Sequence, residues 1–388
     1  MQRLLLVSAP LALLLLGWVG YVHYLTVQEE SACVTAVGDL AENDNMVKAK
    51  ELQDVLNRYS DERDGVGLQA TVVQPDGAVW SGVSGYANRE KRCPMTHNHH
   101  LYVGSITKLY TAALVMDQVE KGTISLDDTL GEWVDLSYAD SVTVRMLLNH
   151  TSGVPSYTED AWFLARYFGL PRKNWQSDEL VRVISRKPLE FDPGSQHKYS
   201  NSNYLLLGVI LETATGETYQ ALLEENIARQ QGFDDTSFLA HDNGAVIANA
   251  YDDTLLHLGT RNLTGFRRSM ASGAFSAGGI LSNSEDVALF AHRLFTGQIV
   301  TDSTLDQMTT FIETPDEDMP LQAGYGLGVR NLIVGGENLF GHTGSIPGYS
   351  GIVMHNPEKR YTIAVLSNLS IIDQTGLLEE IQNACLLN

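Results

Sequence analysis

Strand-type patterns stand at both ends of this chain, and helical patterns fill the long stretch between them. Near the start, residues 67–74 and 78–86 alternate small or apolar with polar side chains around a Pro-Asp-Gly turn, which is typical of a β-hairpin. Near the end, three β-branched or aromatic runs predict strands: Gly324 to Asn331, Gly348 to His355 and Tyr361 to Leu366. Distant parts of the chain must therefore complete one sheet, which indicates an α+β fold with a helical insertion.

Helical spacing of apolar residues places the main helices. The predicted helices are Val47–Tyr59, Ile106–Lys121, Thr143–Asn149 with Thr143 as its cap, Tyr204–Thr213 and Ile371–Leu387. The expected domain covers residues 46–388, with an α/β part at about 46–130 and 320–388 and a helical part at about 131–319.

The N-terminal 26 residues are typical of a targeting segment. Arg3 precedes the apolar stretch Leu4–Leu25, which has about the 20 residues needed to span a bilayer. Polar residues follow directly instead of a small-residue cleavage site, which favours an uncleaved anchor over a cleaved signal that would release a secreted protein. The positive charge at the start and the acidic flank after it predict that the main domain lies outside the cytoplasm.

Residues 27–45 are polar, lack periodicity and are interpreted as a tether. Within them, Ser31-Ala32-Cys33 resembles a bacterial lipoprotein cleavage site, although Glu30 stands where an aliphatic residue is preferred, so lipidation is a minor alternative.

Composition limits the function classes. The net charge of −21 argues against nucleic-acid binding, which needs clustered Lys and Arg. Three cysteines, Cys33, Cys93 and Cys385, allow one disulfide with a leftover thiol, and the sequence does not choose the pair. His97, His99 and His100 crowd like metal ligands but lack acidic or cysteine partners, so they are interpreted as solvated turn residues. Neither a metal nor a cofactor is expected.

Three short patches, in this order and far apart, carry the candidate chemistry. They are Ser105-Ile106-Thr107-Lys108, Tyr199-Ser200-Asn201 and His342-Thr343-Gly344. Each patch alone is a weak signal, because Ser195-Gln196-His197-Lys198 and Tyr86-Ala87-Asn88 match the same spacings elsewhere in the chain. Context must therefore distinguish them.

Ser105 follows Gly104 at the start of a predicted helix, where free backbone N–H groups favour developing negative charge. Lys108 lies on the same helical face three residues later and can meet the hydroxyl. No amphipathic helix begins at Ser195, and the other Tyr-Ala-Asn stands at a strand end, so both are interpreted as structural. Ser105 is the predicted nucleophile, since a serine hydroxyl reacts only when a base removes its proton.

Lys108 and Tyr199 are the predicted base, acting as one coupled pair. Their ordinary pKa values near 10 must fall by about three units for either group to act as a base near neutrality. A lysine ammonium lowers the pKa of the tyrosine, whereas the resulting phenolate raises the pKa of the lysine, so both pKa values cannot be lowered independently. Asn201 is expected to orient Lys108 and a substrate carbonyl.

The third patch is expected to bind substrate just before a strand break. Gly344 lets a substrate backbone approach, and the N–H groups of Ser345 and Ser105 are predicted to form an oxyanion hole. With a partial positive charge, His342 would hold a substrate carboxylate together with Thr343.

These patches resemble the serine β-lactamase and penicillin-binding protein superfamily, in the branch of class C β-lactamases, DD-carboxypeptidases, D-aminopeptidases and esterases. Further similar segments are Leu147–Gly153, Ser276–Gly279 with Ser282 and Asp286, and Gly324–Gly328. The resemblance covers about residues 45–388. It implies an antiparallel sheet flanked by helices, an inserted all-helical subdomain and an acyl-enzyme on Ser105.

One departure bears on the substrate. Class C β-lactamases usually have lysine where this chain has His342, so efficient β-lactam hydrolysis is not expected. The resemblance makes Tyr199 the better candidate to activate the deacylating water, while His150 is interpreted as structural.

The leading hypothesis is a serine hydrolase that cleaves a D-amino-acid peptide or related amide. A carboxylesterase or weak β-lactamase is the near alternative, since the same groups would serve an ester or a β-lactam. A non-catalytic peptide or penicillin sensor, or a scaffold, is the alternative from another class; the retained Ser105, Lys108 and Tyr199 argue against it.

Overall fold

A computed structural model describes residues 17–30, 33, 48–238, 245–253, 259–314, 319 and 321–386. Its strands are β1 Leu68–Val73, β2 Val79–Ser84, β3 Tyr86–Asn88, β4 Cys93–Pro94, β5 His99–Tyr102, β6 Ser237–Phe238, β7 Val246–Ile247, β8 Tyr251–Asp252, β9 Arg261–Asn262, β10 Ile280–Ser282, β11 Ile312–Glu313, β12 Gln322–Tyr325, β13 Arg330–Val334, β14 Glu337–Ile346, β15 Tyr349–His355 and β16 Thr362–Ser367. Its α-helices are α1 (residues 17–29), α2 Ala49–Asp61, α3 Thr107–Glu120, α4 Val144–Leu148, α5 Ala161–Gly169, α6 Ser177–Ile184, α7 Asn201–Thr215, α8 Tyr219–Leu223, α9 Arg267–Ala274, α10 Ser284–Phe295, α11 Asp302–Met308 and α12 Gln374–Leu386.

The main sheet is antiparallel and joins both ends of the chain. Its order is β11-β12-β13-β14-β15-β16-β1-β2. Strand β1 pairs with β2 as the predicted hairpin and, on its other side, with β16, where Leu68 lies opposite Ser367. The predicted completion of one sheet by distant segments is confirmed.

Side-chain alternation along the sheet supplies two hydrophobic layers. On β16, Ile363 and Val365 join the cluster formed with α2 and α12, whereas Ala364 and Leu366 face the larger cluster that contains α3 and α10. Successive strand residues point to opposite faces, so this apolar run is buried on both sides. Helix α3, which follows Ser105, is thus fixed inside the larger core.

Helices α4 to α9 occupy the middle of the chain, as expected for the insertion. Thr143 caps α4 by accepting a hydrogen bond from the Met146 N–H at 3.3 Å, and α7 ends at Gly216, whose φ is +75°. The same stretch carries short strands, of which β6, β10 and β7 form a small sheet with β5. The middle of the chain therefore contains strands as well as helices.

The prediction of one strand over residues 324–331 was wrong, because the chain turns inside it. Gly328 has φ +79°, and a Cβ on it would lie 2.4 Å from the Cβ of Ala112 on α3. Its N–H donates to the Leu148 carbonyl at 3.2 Å. This close approach to α3 separates β12 from β13.

The prediction of solvated turn histidines was also wrong for two residues, which lie on β5. His99 is fully buried and its Nδ1 contacts the Thr96 hydroxyl at 2.8 Å, and His100 Nε2 lies 3.1 Å from an Asp235 carboxylate oxygen. Within the ranges given above, no cluster of His, Cys, Asp and Glu has an arrangement suited to a metal ion.

Residues 1–16, the first part of the expected membrane segment, and residues 34–47, most of the expected tether, lie outside the described residues. Helix α1 packs on the domain: Leu25 is fully buried, and Trp18 Nε1 donates to the Gly169 carbonyl at 3.2 Å. None of the helices formed by the described residues has both the length and the apolar character required to span a bilayer. A disulfide joins Cys33 to Cys93, with Cα atoms 5.1 Å apart.

Candidate active site

Ser105 lies in a 3₁₀ turn, Gly104–Ile106, that leads directly into α3. Gly104 has φ +54°, and a Cβ on it would lie 2.8 Å from the Ser345 backbone nitrogen. A side chain at position 104 would therefore clash with β14. Glycine allows β14 and the turn that holds the predicted nucleophile to make close contact.

Lys108 lies one helical turn after Ser105 and is fully buried. Its Nζ donates to three oxygens: Ser105 Oγ at 3.0 Å, Asn201 Oδ1 at 2.8 Å and the Ala277 carbonyl at 2.8 Å. All three N–H donors of an ammonium group are thereby used. Burial lowers the pKa of Lys108, and the repulsion from Arg330 acts in the same direction, although the Tyr199 hydroxyl opposes them.

Tyr199 presents its hydroxyl to the same centre. The oxygen is buried and has no hydrogen bond of normal geometry among the described residues, while Lys108 Nζ lies 4.8 Å from the ring centroid. Burial raises the pKa of this phenol, but the charges of Lys108 and Arg330, together with polar interactions with Lys108 and Ser105, outweigh it and leave the pKa lowered. The lowered pKa values of Lys108 and Tyr199 favour sharing of one proton between them.

Asn201 is the first residue of α7 and links the nucleophile helix to the insertion. Its Oδ1 accepts from Lys108, its Nδ2 donates to Thr158 Oγ1 at 3.0 Å, and its backbone N–H donates to Ser156 Oγ at 3.3 Å. These contacts fix the amide, so Lys108 is held toward Ser105 rather than free to rotate.

The third patch was predicted to lie just before a strand break, but in the structure it lies inside β14. Pairing with β13 ends at Gly341, whereas pairing with β15 continues through Ile346. A Cβ on Gly344 would lie 2.0 Å from the Val103 carbonyl oxygen. The part of β14 beyond Gly341 thus lies against the Ser105 segment, and its edge there is not paired with β13. Ser345 Oγ donates to the Ser370 carbonyl at 2.9 Å, so in the predicted oxyanion hole Ser345 would act through its backbone N–H rather than its side chain.

The predicted positive charge on His342 does not fit its surroundings. The ring is fully buried, its Nδ1 lies 2.5 Å from the Thr343 carbonyl, and its Nε2 lies 3.0 Å from the Tyr325 hydroxyl. Burial holds the pKa of His342 well below its usual range, and the charges of Arg330 and Lys108 lower it further. A neutral imidazole that donates from Nδ1 and accepts at Nε2 satisfies both contacts.

Arg330, on β13, supplies positive charge at this position and was not identified from the sequence. It is 6% exposed, and its Cζ lies 5.0 Å from the centre of the Tyr199 ring. Its NH1 group contacts two uncharged atoms, Met319 Sδ and Gln322 Oε1. The signal in the sequence was an arginine two residues after Gly326-Leu327-Gly328, at the start of β13.

His150 contacts the second patch and holds it in position, which agrees with its interpretation as a structural residue. Its Nδ1 accepts from the Ser200 N–H at 3.2 Å and faces Asn203 Nδ2 at 3.0 Å, while its ring centroid lies 4.4 Å from that of Tyr199. The histidine therefore sets the position of the Tyr199 segment.

The two competing matches are structural. Ser195 Oγ donates to the Asp192 carbonyl, and Lys198 pairs with Glu190 at 2.7 Å instead of with Ser195. Asn88, at the end of β3, accepts from the Lys91 N–H in a turn.

A cavity of about 220 Å³, open to solvent, leads to Ser105. Apolar and aromatic side chains from the insertion dominate its walls, and no charged side chain is among the residues that line it in the described part of the chain. The lining comprises Ser105, Tyr157, Thr158, Phe163, Leu164, Tyr167, Phe168, Asn201, Gly273, Ala274, Ala277, Gly278, Ser345, Ile346 and Pro347. An apolar group next to the reacting carbonyl would fit it.

Comparison with known proteins identifies related chains. The model of the family described as Beta-lactamase matches residues 52–381. Penicillin-binding protein 4* of Bacillus subtilis (strain 168) is 24% identical over 340 residues, which cover 83% of this chain and 72% of the relative. A D-aminopeptidase of Brucella anthropi is 25% identical over 78% of this chain, and the match spans only 56% of that longer protein.

Solved structures show the same fold. The D-amino acid amidase of Ochrobactrum anthropi SV3, crystallised with L-phenylalanine amide, superposes with a TM-score of 0.76 and 26% identity. The superposition covers 87% of this chain and 98% of the amidase.

Proposed function

Because this chain belongs to the β-lactamase family, whose model matches most of its length, we propose that it hydrolyses a D-amino-acid peptide or related amide through an acyl-enzyme on Ser105. The observation that carries the proposal is the contact of Lys108 Nζ with Ser105 Oγ, made by a buried lysine that Asn201 and the Ala277 carbonyl hold in place. The names of the related D-aminopeptidase and D-amino acid amidase support the D configuration.

Acylation begins when Ser105 Oγ attacks the substrate carbonyl carbon. The hydroxyl proton passes to the Lys108–Tyr199 pair, and the carbonyl oxygen gains negative charge opposite the N–H groups of Ser105 and Ser345. The tetrahedral intermediate then collapses: the C–N bond breaks, and the same proton goes to the leaving nitrogen. At the end of acylation, Lys108 and Tyr199 hold the same number of protons as at the start.

Deacylation uses the pair a second time. Water gives one proton to the Lys108–Tyr199 pair and its oxygen to the acyl carbon, and the Ser105 ester bond breaks as that proton returns to Oγ. The lowered pKa of Tyr199 suits this step, because a phenolate accepts a proton from water more readily than a phenol does.

Two features of the site favour a carboxypeptidase-like substrate. The cavity has apolar walls, and no carboxylate is among the described residues that line it, so it suits an acyl group without a free ammonium. Arg330 brings positive charge toward the β14 side of the site. Its Cζ lies 5.0 Å from the centre of the Tyr199 ring, and its charge lowers the pKa of His342 on β14. A leaving group that ends in a carboxylate would gain from that charge.

We also infer that the domain works outside the cytoplasm. The Cys33–Cys93 disulfide supports this, because such bonds persist in oxidising compartments. The apolar N-terminal sequence and the charge pattern around it agree.

The test compares three substrates with the full chain: an N-acylated D-Ala-D-Ala peptide, its C-terminal amide and a short-chain nitrophenyl ester. We expect cleavage of both peptides, with faster cleavage of the free carboxylate, and an acyl adduct mapped by mass spectrometry to Ser105. Ser105→Ala should abolish turnover and the adduct, whereas Ser195→Ala serves as the matched control and should leave both unchanged. Ester cleavage without peptide cleavage would reassign the enzyme as an esterase. No adduct at Ser105 would favour the sensor or scaffold.

A further inference from the structure

The cavity that leads to Ser105 lies on the acyl side of the nucleophile. In the described part of the chain its lining includes Asn201, but not Lys108 or Tyr199, the pair that gives a proton to the leaving nitrogen, and not Arg330. The leaving group therefore belongs on the side of Tyr199 and Arg330. The part of the substrate that carries the attacked carbonyl is left for the cavity, so the walls of the cavity determine which side chain fits there.

Three aromatic rings form one apolar wall of the cavity. The Tyr157 hydroxyl donates to the Gly273 carbonyl at 2.7 Å and the Tyr167 hydroxyl donates to the Met270 carbonyl at 3.3 Å, so both tyrosine hydroxyls are bound to α9. Phe163 is buried, and its ring centroid lies 5.0 Å from that of Tyr157 and 5.2 Å from that of Tyr167. Gly273 permits this packing, because a Cβ on it would lie 2.7 Å from the Tyr167 ring.

Other polar side chains of the lining are bound to the protein itself. Thr158 Oγ1 accepts from Asn201 Nδ2 at 3.0 Å and lies 2.8 Å from Ser156 Oγ, while Ser345 Oγ donates to the Ser370 carbonyl at 2.9 Å. A charged side chain of a substrate would find no opposite charge among the described residues of this lining. Its transfer from water would therefore be unfavourable, whereas that of an apolar side chain is favourable.

The cavity is large enough for a group much bigger than a methyl. Its volume is about 220 Å³, and a cavity of about 150 Å³ lined by Leu, Ile and Phe already holds benzene. At its open end, Leu164 and Phe168 belong to the lining and are 37% and 39% exposed. A bound apolar group would cover part of both side chains, and the removal of their surface from water would favour binding.

We propose that this cavity is a specificity pocket for a large apolar side chain, aromatic or branched aliphatic, on the residue whose carbonyl Ser105 attacks. The proposal rests on the proposed function and narrows its substrate class: acyl residues such as D-Phe or D-Leu are preferred to D-Ala. The side chain of the substrate packs against Phe163 and Tyr167, and its outer end covers Leu164 and Phe168. A methyl group would reach few of these contacts.

The test compares kcat/KM of the full chain for peptides that differ only in the acyl residue, N-acetyl-D-Phe-D-Ala and N-acetyl-D-Ala-D-Ala. We expect a value at least about tenfold higher for the D-Phe peptide, because a single methylene in an apolar pocket changes kcat/KM by about 10–200-fold. N-acetyl-D-Glu-D-Ala should be cleaved more slowly than the D-Phe peptide. Equal values for D-Phe and D-Ala, fastest cleavage of the D-Glu peptide, or faster cleavage of N-acetyl-D-Ala-D-Phe than of N-acetyl-D-Phe-D-Ala would each show the proposal to be wrong.

Two variants test whether the preference arises in the cavity. Ala274→Leu, at the end of α9, places a larger side chain in the lining and should lower the D-Phe to D-Ala ratio of kcat/KM at least about tenfold. The double variant Leu164→Ala, Phe168→Ala removes exposed side chains and should lower the ratio at least about threefold. The matched control Ala165→Leu alters an exposed residue of α5 outside the lining and should keep the wild-type ratio. Both values of a ratio come from one preparation, so a loss of folded enzyme cancels.

Nitrophenyl esters of N-acetyl-D-Phe and N-acetyl-D-Ala separate this proposal from the proposed function. A D-Phe preference on the esters without cleavage of any peptide would support the pocket and overturn the peptidase. Peptide cleavage with no D-Phe preference, or with a preference that neither variant changes, would overturn the pocket alone.

Discussion

Lys108 Nζ lies 2.8 Å from the carbonyl oxygen of Ala277, on the segment that follows α9. This backbone contact, together with Asn201, leaves the third donor for Ser105 Oγ. The lysine is thus positioned by the fold even without substrate, and four consequences of the surrounding geometry can be measured.

Lys108→Met should lower the rate of acylation by about 10² to 10⁴-fold, because it removes the proton acceptor while keeping a long apolar stem. The oxygens of Asn201 and Ala277 lose their hydrogen-bond donor, so the free energy of unfolding should fall by about 1–3 kcal/mol. Rapid-mixing kinetics and thermal melts measure the two effects. Lys198→Met, in the other Ser-x-x-Lys match, should change neither; an acylation rate within threefold of wild type for Lys108→Met would rule out its role as base.

Tyr199→Phe should reduce acylation and deacylation with little change in stability. Its hydroxyl has no hydrogen bond of normal geometry among the described residues, so removing the oxygen leaves no partner unpaired. We expect a loss of about 10² to 10⁴-fold in kcat/KM if the phenol relays protons. Tyr138→Phe removes another buried hydroxyl without such a bond and should behave like wild type. An unchanged rate in Tyr199→Phe contradicts the relay.

Arg330→Met should shift the pH profile of kcat/KM, so that the rise in kcat/KM with pH occurs at higher pH than in the wild type. The positive charge of Arg330 acts to lower the pKa of both Lys108 and Tyr199, so its removal raises both values and the basic form appears only in more alkaline solution. A pH profile with a substrate that lacks a carboxylate isolates this effect from binding. Arg58→Met, which removes an exposed, ion-paired arginine, is the control. A shift toward acid would show that Arg330 does not govern the pair.

Gly344→Ala should lower both stability and activity. The new Cβ would lie 2.0 Å from the Val103 carbonyl oxygen, so β14 must move away from the Ser105 segment. Overpacking of this kind costs about 1–3 kcal/mol, and the displaced Ser345 N–H would bind the oxyanion less well. Denaturant unfolding and steady-state kinetics measure the two losses. Gly169→Ala is the control, since a Cβ there meets no atom within 4 Å; equal stability of the two variants would refute the close packing.

Patterns local in sequence predicted the fold well. Alternation located β1 and β2, β-branched and aromatic runs located β15 and β16, and the cap at Thr143 marked the start of α4. The catalytic patches were found because their chemistry depends on residue type and short spacing, such as the three residues between Ser105 and Lys108. The contact among Ser105, Lys108 and Asn201 followed from that chemistry.

Features set by packing between distant segments were missed. The role of Arg330 depends on Tyr199, which lies on another element, and no local pattern joins them. The charge predicted for His342 failed because the ring's burial and its contact with Tyr325 are tertiary properties. His99 and His100 looked like solvated residues, yet their strand is covered by neighbouring elements.

The position of β1 between β2 and β16 affects biosynthesis. During translation, β1 and β2 emerge early, whereas the partner for the other edge of β1 is made almost last. Until then that edge has unpaired backbone groups that can join strands of other chains. A ribosome-bound precursor should therefore need a chaperone to keep this hairpin from pairing with other chains, and truncation before β16 should yield aggregates rather than a smaller enzyme.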